Sequence, residues 1–191
     1  MTFSSRKSTL ILLPLFCVFV LAACSTRTPV QQVSIDDVSQ NLKYKNILFG
    51  KFAESPNVQA NVPTADPLRQ CKSTAISYLS GKNIFDRVED TEGEQGSQKD
   101  GPTLIVEGDL TYLKIVGSSA RFWGGAFAGR SAMKINVKLT DASTGTVVAQ
   151  QELVGAPSAM SGAWSGGGSD HALPAKMGYL VGDFILSNVG D

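Results

Sequence analysis

Histidine occurs once in these 191 residues, and no apolar run is long enough to cross a bilayer. With His171 alone, neither a multi-histidine metal site nor a metal-binding His/Cys cluster can be assembled. A Ser-His-Asp hydrolase would have to use that same residue. Yet Gly162 to Gly166 reads G-A-W-S-G, with its serine one place late for a G-x-S-x-G nucleophile elbow. The leading apolar run, Leu10 to Val20, holds 11 residues, where a membrane-spanning helix needs about 20. No charge of one sign dominates either, because 17 basic residues balance 17 acidic ones. Phosphate binding needs concentrated positive charge, so this balance argues against nucleic acid as the main partner. Cysteine is confined to Cys17, Cys24 and Cys71.

What is present begins at the amino terminus. Arg6 and Lys7 precede the apolar run and small residues follow it, which is the order of a secretion signal. Leu21, Ala22, Ala23 and Cys24 directly behind it resemble the cleavage box of bacterial lipoproteins, a resemblance that covers residues 1 to 24. It implies that residues 1–23 are removed, that the Cys24 sulfur receives a diacylglyceryl group and that the new amino group is acylated. One acyl chain holds a protein only marginally and two anchor it stably, so the expected address is a membrane surface facing the periplasm. In Gram-negative lipoproteins Asp after the cysteine signals retention in the inner membrane. Ser25 therefore points to the outer membrane by the same resemblance.

Cleavage would leave 168 residues (191 minus 23), enough for one domain with a real core. Removing Arg6 and Lys7 takes the basic count from 17 to 15 against 17 acidic residues, a net charge near −2. With Cys17 discarded and Cys24 lipidated, Cys71 has no partner in the chain. Its helical neighbours suggest a small buried residue, and an intermolecular disulfide is the alternative.

From Cys24 to about Lys43 the chain is polar and reads as a tether. Its 19 residues from Ser25 to Lys43 could extend to roughly 60 Å. A single domain is expected over 44–191. Ile47, Leu48, Phe49 and Phe52 read as a first strand, and Asp66-Pro67 as a helix start with Asp as N-cap. Leu68, Cys71, Ala75, Tyr78 and Leu79 recur at helical spacing up to a C-cap at Gly81. A second strand is expected over Ile84 to Val88, then an acidic solvated loop from Asp90 to Pro102. Leu104, Val106, Leu110 and Tyr112 alternate along one strand. Met133, Ile135, Val137 and Leu139 alternate along the next, with Lys134, Asn136 and Lys138 on the other face. Asp141 to Gly145 (D-A-S-T-G) is a tight turn, and Thr146 to Val154 returns as a third strand. Leu173, Met177, Leu180, Val181 and Phe184 mark a closing helix. The fold class is α/β (α+β): an antiparallel sheet with a long three-stranded meander, packed by two helices.

The stretch from Arg130 to Leu153 resembles a family of bacterial envelope lipoproteins known as a domain of unknown function, over roughly residues 44 to 188. The element order is also similar to the amino-terminal domain of the Tol-system translocation protein B and to curli-secretion lipoproteins, a likeness of fold alone.

Several motifs fall away on context. Gly124, Gly129, Arg130 and Ser131 approach a phosphate-binding P-loop, but a strand pattern follows where a helix must. Glu107 and Asp109 share the non-core face of a strand, where solvated charge is a simpler reading than an acid/base pair. Gly178 and Gly182 repeat the G-x-x-x-G of packed membrane helices, yet with Asp183 beside them they read as close packing of this helix on the sheet.

The remaining candidates lie in two connections. Gly117 to Gly129 carries Arg121, Phe122, Trp123 and Phe127 among glycines and serines, with Arg130 next, and Gly155 to Ser169 carries Trp164. In an up-down-up meander both leave the same end of the sheet. Aromatics and Arg are enriched where proteins meet partners or lipid. The rings serve a protein partner or self-association, rest on lipid, or fold back to cap the core. The reading is a lipid-anchored, non-catalytic binding or assembly module of the envelope, with no cofactor, metal or nucleotide. The alternatives are a secretion or pore-complex subunit and a small hydrolase.

Overall fold

The computed structural model describes residues 42–91, 101–157, 165 and 168–190; Cys24, the tether up to residue 41, the acidic segment 92–100 and Trp164 lie outside the described residues. The described elements are β1 (Asn46–Ala60), α1 (Ala65–Ser80), β2 (Arg87–Asp90), β3 (Thr103–Lys114), α2 (Ser118–Gly124), a 3-10 turn (Gly125–Ala128), β4 (Ala132–Asp141), β5 (Val147–Gly155), α3 (Gly168–His171) and α4 (Leu173–Leu186). The strands form one five-stranded sheet in the order β2-β1-β3-β4-β5.

The expected meander is there. β3 pairs with β4 and β4 with β5, both antiparallel. Met133, Ile135, Val137 and Leu139 are fully buried while Lys134, Asn136 and Lys138 are only partly covered, the period-two alternation of a sheet with one face on the core. β1 and β2 extend the sheet in parallel: β1 runs parallel to both β2 and β3. A parallel neighbour cannot be reached by a tight turn and needs a crossover, which α1 supplies between β1 and β2. The sheet is therefore mixed. The antiparallel expectation came from the alternation of the meander, and the direction of β1 and β2 is set by that crossover.

Several boundaries also differ from those the sequence suggests. β1 runs on to Ala60 because its polar second half keeps pairing with β3 as far as Leu113. β2 begins at Arg87, not Ile84. The N-cap of α1 is Thr64, with no side-chain cap bond; Asp66 lies inside the first turn and pairs with Arg69 at 2.6 Å. An extra residue on β1 between Phe49 and Phe52 is a β-bulge that turns both rings onto the core face, with centroids 5.9 Å apart. Opposite them Gly108 leaves the space that the Phe52 ring fills, since a Cβ there would sit 2.9 Å from the ring.

The two long helices cover the core face. Leu68, Cys71, Ala75 and Leu79 of α1 and Leu173, Met177, Val181 and Ile185 of α4 are buried against the sheet, whereas Leu180 stays exposed. Gly178 and Gly182 of α4 pack on α1 and not on the sheet, as their spacing had suggested. A Cβ on Gly178 would lie 2.5 Å from the Cys71 carbonyl oxygen and 2.6 Å from the Thr74 Cβ, and one on Gly182 would meet the Tyr78 ring at 2.3 Å. Small residues let two helices that share one sheet face close on each other. Among the described residues no helix is long and apolar enough to cross a membrane.

Both termini of the described domain meet at one end of the sheet. Leu42 bridges to Gly190, and the Lys43 N–H donates to the Val189 carbonyl at 2.9 Å. The D-A-S-T-G turn lies at the same end, where the Tyr44 hydroxyl donates to Asp141 Oδ2 at 2.9 Å. Asp141 Oδ1 accepts from the Ser143 hydroxyl and from the backbone N–H groups of Ser143 and Thr144 at 2.6, 2.8 and 3.1 Å. Gly145 closes the turn with φ +69°, a conformation natural to glycine.

Candidate functional site

β3 and β5 run in the same direction, both antiparallel to β4. The connections after β3 and after β5 therefore leave the same end of the sheet, opposite the D-A-S-T-G turn. Their contact is direct: Ser118 Oγ at the start of α2 lies 3.4 Å from His171 Nε2 at the end of α3. The core is already closed at this end. Val116 is buried, and its N–H donates at 2.8 Å to the fully buried Ser131 hydroxyl.

The rings of the β3–β4 connection face outward. Phe122 is 79% exposed, Trp123 86% and Phe127 99%, so the folded-back alternative does not describe them. Phe122 and Trp123 stack edge to face with centroids 5.1 Å apart, a favoured aromatic geometry. The helix is a single short segment, S-S-A-R-F-W-G, followed by a 3-10 turn that ends at Gly129 with φ +94°. Arg130 is exposed beside it. Arg121 lies within α2, and Trp164 lies outside the described residues.

The discarded motifs look as their context suggested. Gly124 to Ser131 leads into β4, and the Ser131 hydroxyl is occupied by Val116, so no helix N-terminus is offered to a phosphate. Glu107 pairs with Lys138 at 2.7 Å across the β3–β4 ladder, which also raises the Lys138 pKa. Lys134 and Glu152 form a second cross-strand pair at 3.8 Å. These are rungs of a charged outer sheet face. His171 is exposed. Cys71 is fully buried, and burial pushes its thiol pKa up to about 12.

Three features were not visible in the sequence. Lys72 is buried on the α1 stripe, with its ammonium 2.5 Å from Asp90 Oδ1 and 5.8 Å from the Phe52 ring centroid, which ties α1 to β2. Asp141 is held well below the usual carboxylate range by its bonds from Ser143, Tyr44 and Thr144. On the outer side of the helix pair, Tyr78 and Tyr179 meet edge to face at 5.3 Å beside an open groove lined by Ser73, Thr74, Ser77 and Lys82. Burial raises the Tyr78 pKa, as does the bond its hydroxyl donates to Asp183 at 2.7 Å. The Lys72–Asp90, Tyr44–Asp141 and Tyr78–Asp183 contacts each join residues far apart in sequence, and no local spacing encodes them.

None of the curated proteins matches this chain. Among solved structures, the hypothetical protein CT253 from Chlamydia trachomatis superposes with a TM-score of 0.52 at 7% identity, covering 76% of this chain and 98% of that one. It shares the fold. The PelC dodecamer from Paraburkholderia phytofirmans follows at a TM-score of 0.46 and 14% identity, over 74% of this chain and 89% of that one. A minor lipoprotein from Acinetobacter baumannii has a TM-score of 0.35 at 10% identity, over 76% and 94% of the two chains. Residues 69–162, from the first half of α1 to the connection after β5, match the model of a domain of unknown function, DUF4410, over a little under half of the chain.

Proposed function

We propose that this protein is a lipid-anchored, non-catalytic binding or assembly module of the bacterial envelope. In this reading Cys24 holds it at the periplasmic face of the outer membrane, and the aromatic end of its sheet contacts another envelope component. The observation that carries it is the outward placement of Phe122, Trp123 and Phe127 at 79%, 86% and 99% exposure above a core closed without them. Exposed clusters of large apolar side chains mark contact sites. The lipoprotein-like cleavage box supports the location.

The contact is tested by a thiol at its centre. In a Phe127→Cys variant the new thiol would be the accessible one, because Cys71 is buried and Cys24 carries the anchor in this reading. A polar maleimide should label it quickly in the purified protein and slowly in intact envelopes, while a Thr144→Cys control at the opposite end labels alike in both. Equal labelling at position 127 in both settings would overturn the reading.

A further inference from the structure

The same end of the sheet has a charge pattern that the exposed rings alone do not reveal. From Thr111 to Thr140 the sequence contains no Asp or Glu, while Lys114, Arg121, Arg130, Lys134 and Lys138 all fall within it. Lys134 and Lys138 are engaged with Glu152 and Glu107 on the outer sheet face. Lys114 ends β3 directly below the aromatic loop, with its Nζ 3.5 Å from the position a Gly129 Cβ would take, and Arg130 is exposed after Phe127. Asp170, the nearest carboxylate in sequence to His171, is fully buried. Lys114 and Arg130 thus flank the exposed rings, and the β3–β4 connection that carries them holds no carboxylate.

We infer that this end of the sheet seats on an anionic lipid surface, with Phe122, Trp123 and Phe127 in the interfacial layer and the cations over the headgroups. The inference rests on the contact reading above and names the component. Trp is enriched at membrane interfaces. Interfacial segments with exposed Trp, Phe or Leu beside Lys or Arg are held in that layer by apolar burial together with attraction to anionic lipid. A protein hot spot, by contrast, is an anchor fitted to a pocket and ringed by contacts that exclude water. Here three rings stand exposed at 79%, 86% and 99%. The length of chain outside the described residues permits the pose. The tether joins at Leu42, the far end of the sheet from the rings. The 12 residues of β3 span roughly 40 Å, and the tether up to Lys43 reaches roughly 60 Å, so the aromatic end can come down on the bilayer that holds the anchor.

The test uses the purified chain carrying Trp164→Phe, which leaves Trp123 as its sole tryptophan. It is mixed with phosphatidylcholine vesicles, with or without phosphatidylglycerol, that contain bromine-labelled acyl chains. Trp123 emission should shift to the blue and be quenched in the anionic vesicles, much less in the neutral ones, and salt should reverse the effect. Arg130→Gln should weaken insertion about fivefold, and Phe122→Ser with Phe127→Ser should abolish the quenching while leaving the circular dichroism spectrum unchanged. Unquenched Trp123 in anionic vesicles overturns the lipid assignment. If position 127 is nevertheless protected in envelopes, the contact reading stands with a protein as its component. If it is unprotected as well, both fall.

Discussion

Replacing Phe122, Trp123 and Phe127 together by Ala should leave the domain almost as stable as before. An aromatic side chain offers roughly 150 to 250 Å² for burial. At 86% exposure Trp123 hides only about 35 Å² of that, which at about 25 cal/mol per Å² stabilises by less than about 1 kcal/mol. Phe122, at 79%, gives a similar upper bound, and Phe127, at 99%, contributes nothing. Alanine is the better helix former by about 0.5 kcal/mol at each helical position, which offsets part of the loss within α2. The net change expected is within about 1 kcal/mol. Were the rings sealing the core, each truncation would cost about 3 to 5 kcal/mol, and the three together would unfold a domain whose total stability is of order 5 to 15 kcal/mol. Urea unfolding followed by far-ultraviolet circular dichroism, which does not depend on the lost tryptophan, separates the two cases. A loss above about 3 kcal/mol with an unchanged m-value would show that the rings close the core, and would remove the support for a contact surface.

Further outcomes follow from the packing and the titrating groups. Gly178→Leu should destabilise by at least about 1 to 3 kcal/mol, since its side chain must displace the α1 backbone at Cys71, while Gly117→Ala, with nothing within 4 Å of the new Cβ, serves as the neutral control in the same unfolding assay. The Cys71 thiol, buried and with its pKa pushed up to about 12, should resist maleimide in the native protein and react readily in denaturant; equal rates would place it on the surface. Asp141 has a depressed pKa in the fold, so the unfolded chain binds the extra proton first as pH falls; stability from this group is complete above about pH 5 and is lost progressively below it. Asp141→Asn should flatten that part of the acid unfolding curve, and an unchanged curve would refute the assignment. Cys24→Ser should leave an unprocessed precursor or a protein released from the membrane fraction; a processed form still fractionating with outer membrane would refute the anchor.

What the sequence by itself determined was everything governed by local period and local chemistry. The alternation of Leu104 to Leu110 and of Met133 to Leu139, the D-A-S-T-G turn between β4 and β5, the α1 stripe through Cys71 and Leu79, and the buried series on α4 are all set within short windows; the expected continuation to Tyr112 is not met, because a register shift after Leu110 buries Leu113 in its place. So the meander, its two covering helices and their core face could be read directly. That the loops after β3 and β5 share one end also followed, because strand direction alternates in any meander. Only the tertiary structure decided what depends on distant residues meeting. It added β1 and β2 in parallel through the α1 crossover, carried β1 on to Ala60, and turned Gly178 and Gly182 toward α1 because both helices compete for the same sheet face. It also decided the fate of the rings. Ring composition is equally compatible with burial and with exposure; in the fold Val116 and Ser131 are buried and hydrogen-bonded at this end, while Phe122, Trp123 and Phe127 lie outside the core.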